Sequence, residues 1–143
     1  MRKRSKARDW ALKILYQTDI TSRAVDWTIE SFLTNEEEEK DREVVEFCKR
    51  LVVGVHDNIK TIDEKISQYA TNWQLKRMAI IDRNILRLGV YELQYATDIP
   101  PKVSINEAVE LAKKYGDLES SKFVNGILDK IHKTEVLPQG EKS

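Results

Sequence analysis

Ile80-Ile81-Asp82-Arg83-Asn84-Ile85-Leu86-Arg87-Leu88-Gly89-Val90-Tyr91-Glu92-Leu93-Gln94-Tyr95-Ala96 is the most apolar stretch of the chain, and its period decides the fold. At 100° per residue, Ile81, Ile85, Leu86, Leu88 and Leu93 cover most of the circumference, while Arg83, Arg87 and Gln94 share a narrow polar face. A helix apolar nearly all round belongs at the centre of a helical protein. Glu92 falls inside the apolar arc. A buried carboxylate must be paired or accept hydrogen bonds, so a basic side chain or a helix N-terminus is expected opposite it.

Outward from this helix the same period repeats. Pro100-Pro101 stops it. Ser104-Ile105-Asn106-Glu107, preceded by Val103, reads as an S-x-x-E capping box that starts a new helix there. That helix runs through Val109, Leu111 and Ala112 to Gly116, placed as a C-terminal cap. A last helix spans about Leu118 to Lys133, with Phe123, Val124, Ile127, Leu128 and Ile131 inward; Gly126 on it permits close helix contact. Upstream, Ala7, Trp10, Ala11, Ile14, Leu15 and Thr18 mark a helix from about Ser5 to Ile20, and Ile29, Phe32 and Leu33 a shorter one. Asp41 to Ala70 reads as one long, possibly bent helix. Glu36-Glu37-Glu38-Glu39 reads as a solvated run, and residues 136–143 as a disordered tail. No strand pattern competes, so the expectation is all-α, with residues 1–135 forming a single helical domain.

Composition narrows the function. The 143 residues carry 24 Lys or Arg and 24 Asp or Glu, but the balance is uneven. Residues 1 to 23 hold seven bases against two acids, and residues 24 to 46 hold nine acids against two bases. Arg2, Lys3, Arg4, Lys6 and Arg8 form the densest positive cluster. Phosphates respond to local field, so such an arm can bind nucleic acid on a neutral protein; a frayed, solvated terminus is the competing reading. No run reaches the ~18 apolar residues of a membrane span, and a lone Cys48 inside an apolar stripe is a packed thiol. A cytoplasmic location follows as an expectation. The five isolated glycines make neither a phosphate loop nor a dinucleotide turn. There is no G-x-S-x-G or H-E-x-x-H, and His56 and His132 have no partner at metal-ligand spacing. A non-enzymatic binding module without cofactor or metal is the better class.

From Ile81 to Lys130 the chain reads I-D-R-N-I-L-R-L-G-V-Y-E-L, then I-P-P-K-V-S-I-N-E-A-V-E-L-A-K-K-Y-G, then E-S-S-K-F-V-N-G-I-L-D-K. With R-x-x-A-L-K-I-L-Y-Q from Arg8 to Gln17, this closely resembles the bacterial NusB family of transcription antitermination proteins. Residues 24 to 46 carry no part of the likeness. The resemblance implies two small helical bundles, about seven helices in all, packed at right angles. It implies binding of boxA RNA together with NusE, a small-subunit ribosomal protein, to seed an antitermination complex with other Nus factors on RNA polymerase at ribosomal RNA operons. The family includes monomers and homodimers. NusB-like domains also occur fused to RNA cytosine methyltransferases, for whose catalytic domain this chain is too short.

On that resemblance, Arg2, Lys3, Arg4, Lys6 and Arg8 would contact phosphates, as an arm that orders on RNA. Tyr16 could stack an unpaired base or be a half-buried tyrosine on a broad apolar face. Lys122 and Asn125 could reach phosphate and base edge, beside Phe123, which is more often core. Glu119, at the start of the same helix, either complements the helix dipole or repels nearby phosphates and restrains RNA affinity. Asp82 and Arg87 match positions that face NusE; reversing both charges is expected to disrupt that contact at little cost to the fold. A rival reading is a helical homodimer acting as an interaction protein, with weak or no RNA binding on its own.

Overall fold

In the computed structural model, residues 2–35, 41–70 and 78–136 are described. They form seven α-helices and one π-helical turn, without strands among the described residues. The acidic run Glu36–Glu39 and nearly all of the expected tail, residues 137–143, lie outside them. The helices cluster into two compact units, Met1–Asp57 and Asn58–Ser143.

The first unit contains α1 (Lys3–Thr21), α2 (Val25–Thr34) and α3 (Arg42–Asp57). Its core interleaves Trp10, Ile14 and Leu15 of α1, Ile29 and Leu33 of α2, and Val44, Leu51, Val52 and Val55 of α3. Trp10 meets Phe32 edge-to-face with centroids 6.0 Å apart, an arrangement that aromatic quadrupoles favour. Cys48 is wholly buried, and burial pushes its thiol up to about 12, so it remains a protonated packing group. Helix α1 ends where Ser22 turns into the left-handed region at φ 60°, its N–H donating to the Thr18 carbonyl.

The second unit contains α4 (Ile59–Tyr69), α5 (Ile80–Tyr95), α6 (Pro101–Tyr115), α7 (Leu118–Ile131) and the π-turn His132–Val136. Helix α5 is packed against α4, α6 and α7, and every residue from Asn84 to Leu93 is buried. The most apolar segment is therefore central to its unit, as expected.

Three local expectations are corrected. Residues 41 to 70 do not form one helix: Asn58, at φ −119° and ψ 19°, separates α3 from α4 and offers its carbonyl to Ile62 N–H at 2.9 Å. An asparagine readily leaves helical geometry for such local bonding. Helix α6 starts at Pro101 rather than at Ser104, because a proline at the first helical position has its φ already set and needs no N–H partner. Ser104 instead donates its hydroxyl to Glu92 Oε1 at 2.7 Å. The opening turn of α6 thus supplies the partner that the buried Glu92 requires. Gly116 does follow the last residue of α6, but at φ −105°; its smallness matters because a Cβ there would come within 2.6 Å of Ser120 Oγ.

The glycine that allows close helix approach is Gly89, not Gly126. A Cβ at Gly89 would meet Leu128 Cδ1 at 2.6 Å, whereas one at Gly126 meets nothing within 4 Å. Gly89→Ala should therefore destabilise the protein. Overpacking against the fully buried Leu128 costs ~1–3 kcal/mol, which exceeds or matches the ~1 kcal/mol gained in helix propensity. Gly126→Ala should instead stabilise by up to ~1 kcal/mol. Urea midpoints of the two variants read the opposite signs directly; equal shifts would show that the α5–α7 approach is not set by Gly89.

Candidate nucleic-acid interface

The basic N-terminus is not a frayed arm. Helix α1 begins at Lys3, with Arg2 as its extended capping residue. Two contacts to α3 hold its first turns. Lys3 Nζ lies 3.6 Å from Asp41 and 3.5 Å from Glu43, and the Arg4 guanidinium sits 4.4 Å from the Phe47 ring centroid. The charges of Asp41 and Glu43 push the Lys3 ammonium above its usual value. Asp41 also accepts from the N–H groups of Glu43 and Val44 at the start of α3.

Of the five bases, Arg2, Lys3 and Arg4 are exposed and Lys6 is half-buried. Arg8 is only 3% exposed and lies 5.3 Å from the Phe47 centroid. A guanidinium so placed is used within the protein, which corrects the expectation of an equivalent phosphate contact. Tyr16, 36% exposed, keeps part of its ring available on α1.

In the second unit, the K-F-V-N-G string lies along α7. Lys122 and Asn125 are exposed one turn apart, and Phe123 is half-buried. The α7 N-terminus is built by Asp117, whose carboxylate accepts from the Ser120 N–H at 2.8 Å. That bond, with the Ser120 hydroxyl, holds the Asp117 carboxyl below its usual range. Glu119 follows in the first turn, exposed.

The Ser120 hydroxyl lies 3.1 Å from both Asp82 Oδ2 and Asp117 Oδ1, and its single proton can serve only one of them at a time. Asp82 is half-buried, and its Oδ1 is buried without a hydrogen-bond partner among the described residues. Burial pushes the Asp82 carboxyl above its ordinary value; the Ser120 hydroxyl opposes this and the charge of Asp117 adds to it.

Arg87 departs furthest from expectation. Its Nε donates to Asp63 Oδ1 at 2.8 Å, its Nη2 to Asp63 Oδ2 at 2.9 Å, and its Nη1 to Asn84 Oδ1 at 3.0 Å. The Arg87 and Asp63 side chains are only 10% and 25% exposed. This is a buried fork that ties α5 to α4, not an exposed charge whose reversal the fold would tolerate. Asp63 lies on another helix, 24 residues away, and no local spacing could have paired it with Arg87.

Because Asp117 already caps α7 through its side chain, Glu119 contributes only a dipole interaction of ~0.3–1 kcal/mol. If Lys122 and Asn125 meet RNA, the Glu119 carboxylate stands beside phosphates. Glu119→Gln should then raise RNA affinity by up to tenfold, since charges ~6 Å apart at an effective dielectric of ~40 repel by ~1.4 kcal/mol. The gain should shrink with added salt. Fluorescence anisotropy at two salt concentrations measures it, and no gain at low salt would leave Glu119 a helix-end charge only.

Among the described residues no helix is long and apolar enough to cross a membrane. Residues 5–133 match the model of the NusB family. A transcription antitermination protein NusB from Anaeromyxobacter sp. (strain Fw109-5) is 50% identical over 129 residues, covering 90% of this chain and 89% of that protein. Its counterpart in Myxococcus xanthus (strain DK1622) is 47% identical, covering 90% and 93%. A chain in a crystal structure of the antitermination factors NusB and NusE in complex with double-stranded RNA superposes with a TM-score of 0.85. It is 34% identical, with 93% of this chain and 98% of that chain covered.

Proposed function

From the premise that the chain belongs to the NusB family, we propose that it is a transcription antitermination factor that binds boxA RNA together with NusE. The pair would seed assembly, with other Nus factors, of an antitermination complex on RNA polymerase at ribosomal RNA operons. One observation carries the reading: nearly the whole length of this chain superposes on a chain of the NusB–NusE–RNA complex. The protein acts by binding, without catalysis, in the cytoplasm, and residues 1–135 work as one RNA-binding domain.

The geometry gives each part of the chain a role in this reading. Arg2, Lys3, Arg4 and Lys6 meet phosphates from an already helical N-terminus, so little ordering entropy is lost on binding. Tyr16 offers its exposed ring edge to an unpaired base. On α7, Lys122 meets phosphate and Asn125 a base edge, while Phe123 stays partly within the helix packing. Asp82 contacts NusE. Arg87 supports that contact by fixing α5 against α4 rather than by touching the partner.

Anisotropy of a labelled boxA oligonucleotide, compared with a scrambled RNA of equal length, tests the proposal. Tighter binding of boxA, strengthened by NusE, is the expected result. Equal, weak binding of both RNAs that NusE does not change would leave a helical interaction protein, homodimeric or not, and would overturn it.

A further inference from the structure

Phe47 is buried, yet three guanidinium groups converge on its ring. Arg4 lies 4.4 Å, Arg8 5.3 Å and Arg50 5.8 Å from its centroid. Arg4 and Arg8 come from one face of α1, at i and i+4, and Arg50 follows Phe47 by three residues on α3. Each is within reach of the ring quadrupole, which attracts a cation. One ring does not cancel the mutual repulsion of three like charges held this close. An anion seated among them does, and guanidinium forks match phosphate oxygens in geometry as well as charge.

The three are not equivalent. Arg8 is buried behind the others, Arg4 is exposed and Arg50 is half-buried. The ring restricts where the two outer heads can go, so less side-chain freedom is lost when they meet a ligand.

We infer that Arg4 and Arg50, held over Phe47 in front of Arg8, form a clamp for the phosphodiester backbone of RNA. Arg50 is then an RNA-contacting residue that the basic N-terminal cluster does not contain. It lies in a segment whose composition is mixed, and only the packing of α1 on α3 brings it to the arm. The inference rests on the RNA-binding reading above and adds a residue to it.

Salt titrations of the full chain with a labelled boxA oligonucleotide provide the test, using Arg4→Gln, Arg50→Gln and Arg50→Lys. On single-stranded RNA each lost phosphate contact lowers the slope of log affinity against log salt by ~0.7. Arg50→Gln should lose one such unit and bind several-fold more weakly at ~0.1 M salt. Arg50→Lys keeps the charge and should keep the slope. Flattening by both glutamine variants supports the clamp. Flattening by Arg4→Gln alone overturns the clamp and leaves the RNA reading standing, as does a lower melting temperature for Arg50→Gln with an unchanged slope. Flattening by neither variant overturns the arm as an RNA contact, and the clamp with it. Should Arg50→Gln fail to fold, a slope lost in Arg50→Lys overturns the clamp and a retained slope supports it.

Discussion

Arg87→Glu should cost the second unit most of its stability, on the order of 3–5 kcal/mol. Removing one partner of a buried, hydrogen-bonded ion pair strands the other charge, and reversal sets two carboxylates against each other. Here the stranded groups are Asp63, which loses both parallel bonds, and Asn84 Oδ1, which loses its donor. Asp63 retains some access to water, so Arg87→Met should cost less than the reversal. Pairing Arg87→Met with Asp63→Leu should recover much of the loss, because an apolar pair of similar volume often replaces a buried ion pair at no net cost. Urea denaturation of the three variants measures this. An unfolding transition unchanged in Arg87→Glu would contradict the geometry of the fork. It also follows that loss of NusE binding in an Arg87 variant cannot by itself mark an interface residue. Asp82, half exposed, is where that contact is to be tested.

The second large effect is on RNA. Replacing Arg2, Lys3, Arg4 and Lys6 together by Ala should flatten the salt dependence of binding and weaken all RNAs alike. Four free bases would account for a slope change of nearly 3 at ~0.7 each. Lys3 is already engaged with Asp41 and Glu43, and a phosphate must displace those carboxylates, so its share is smaller. The expected change is roughly 2, which amounts to about a hundredfold in affinity across a tenfold range of salt. Arg8 is excluded from the set because it is buried; Arg8→Ala should lower the melting temperature instead. A salt slope identical to that of the unsubstituted protein would reduce the N-terminus of α1 to a structural element.

These two predictions also mark where the sequence was legible. The period of residues 80–96 identified α5, its central place in its unit and the need of Glu92 for a partner. All of this depends on residues within a few turns of one another. What depended on distant residues was not readable. Nothing near Arg87 in the chain announces Asp63, and nothing near the N-terminus announces Asp41, Phe47 or Arg50, whose contacts make the supposed arm a helix. Local signals misled where a second option competed. The S-x-x-E pattern at Ser104 matched a cap, but Pro101 could start the helix earlier and Glu92 needed the hydroxyl more. Asn58 interrupted an apolar stripe that continued on both sides of it. Gly126 and Gly89 look alike in sequence, and only the position of Leu128 separates them. The candidate site was legible as residue types on the basic N-terminus and the K-F-V-N-G string. Which of those side chains face solvent was not.

The central claim is that this chain joins RNA and NusE in one assembly. Gel filtration of the protein with labelled boxA RNA, with and without NusE, tests it most directly. The account predicts a single peak in which all three components co-elute, ahead of any pair and lost at high salt. Elution of the RNA at its free position both with and without NusE, at low salt, would contradict it.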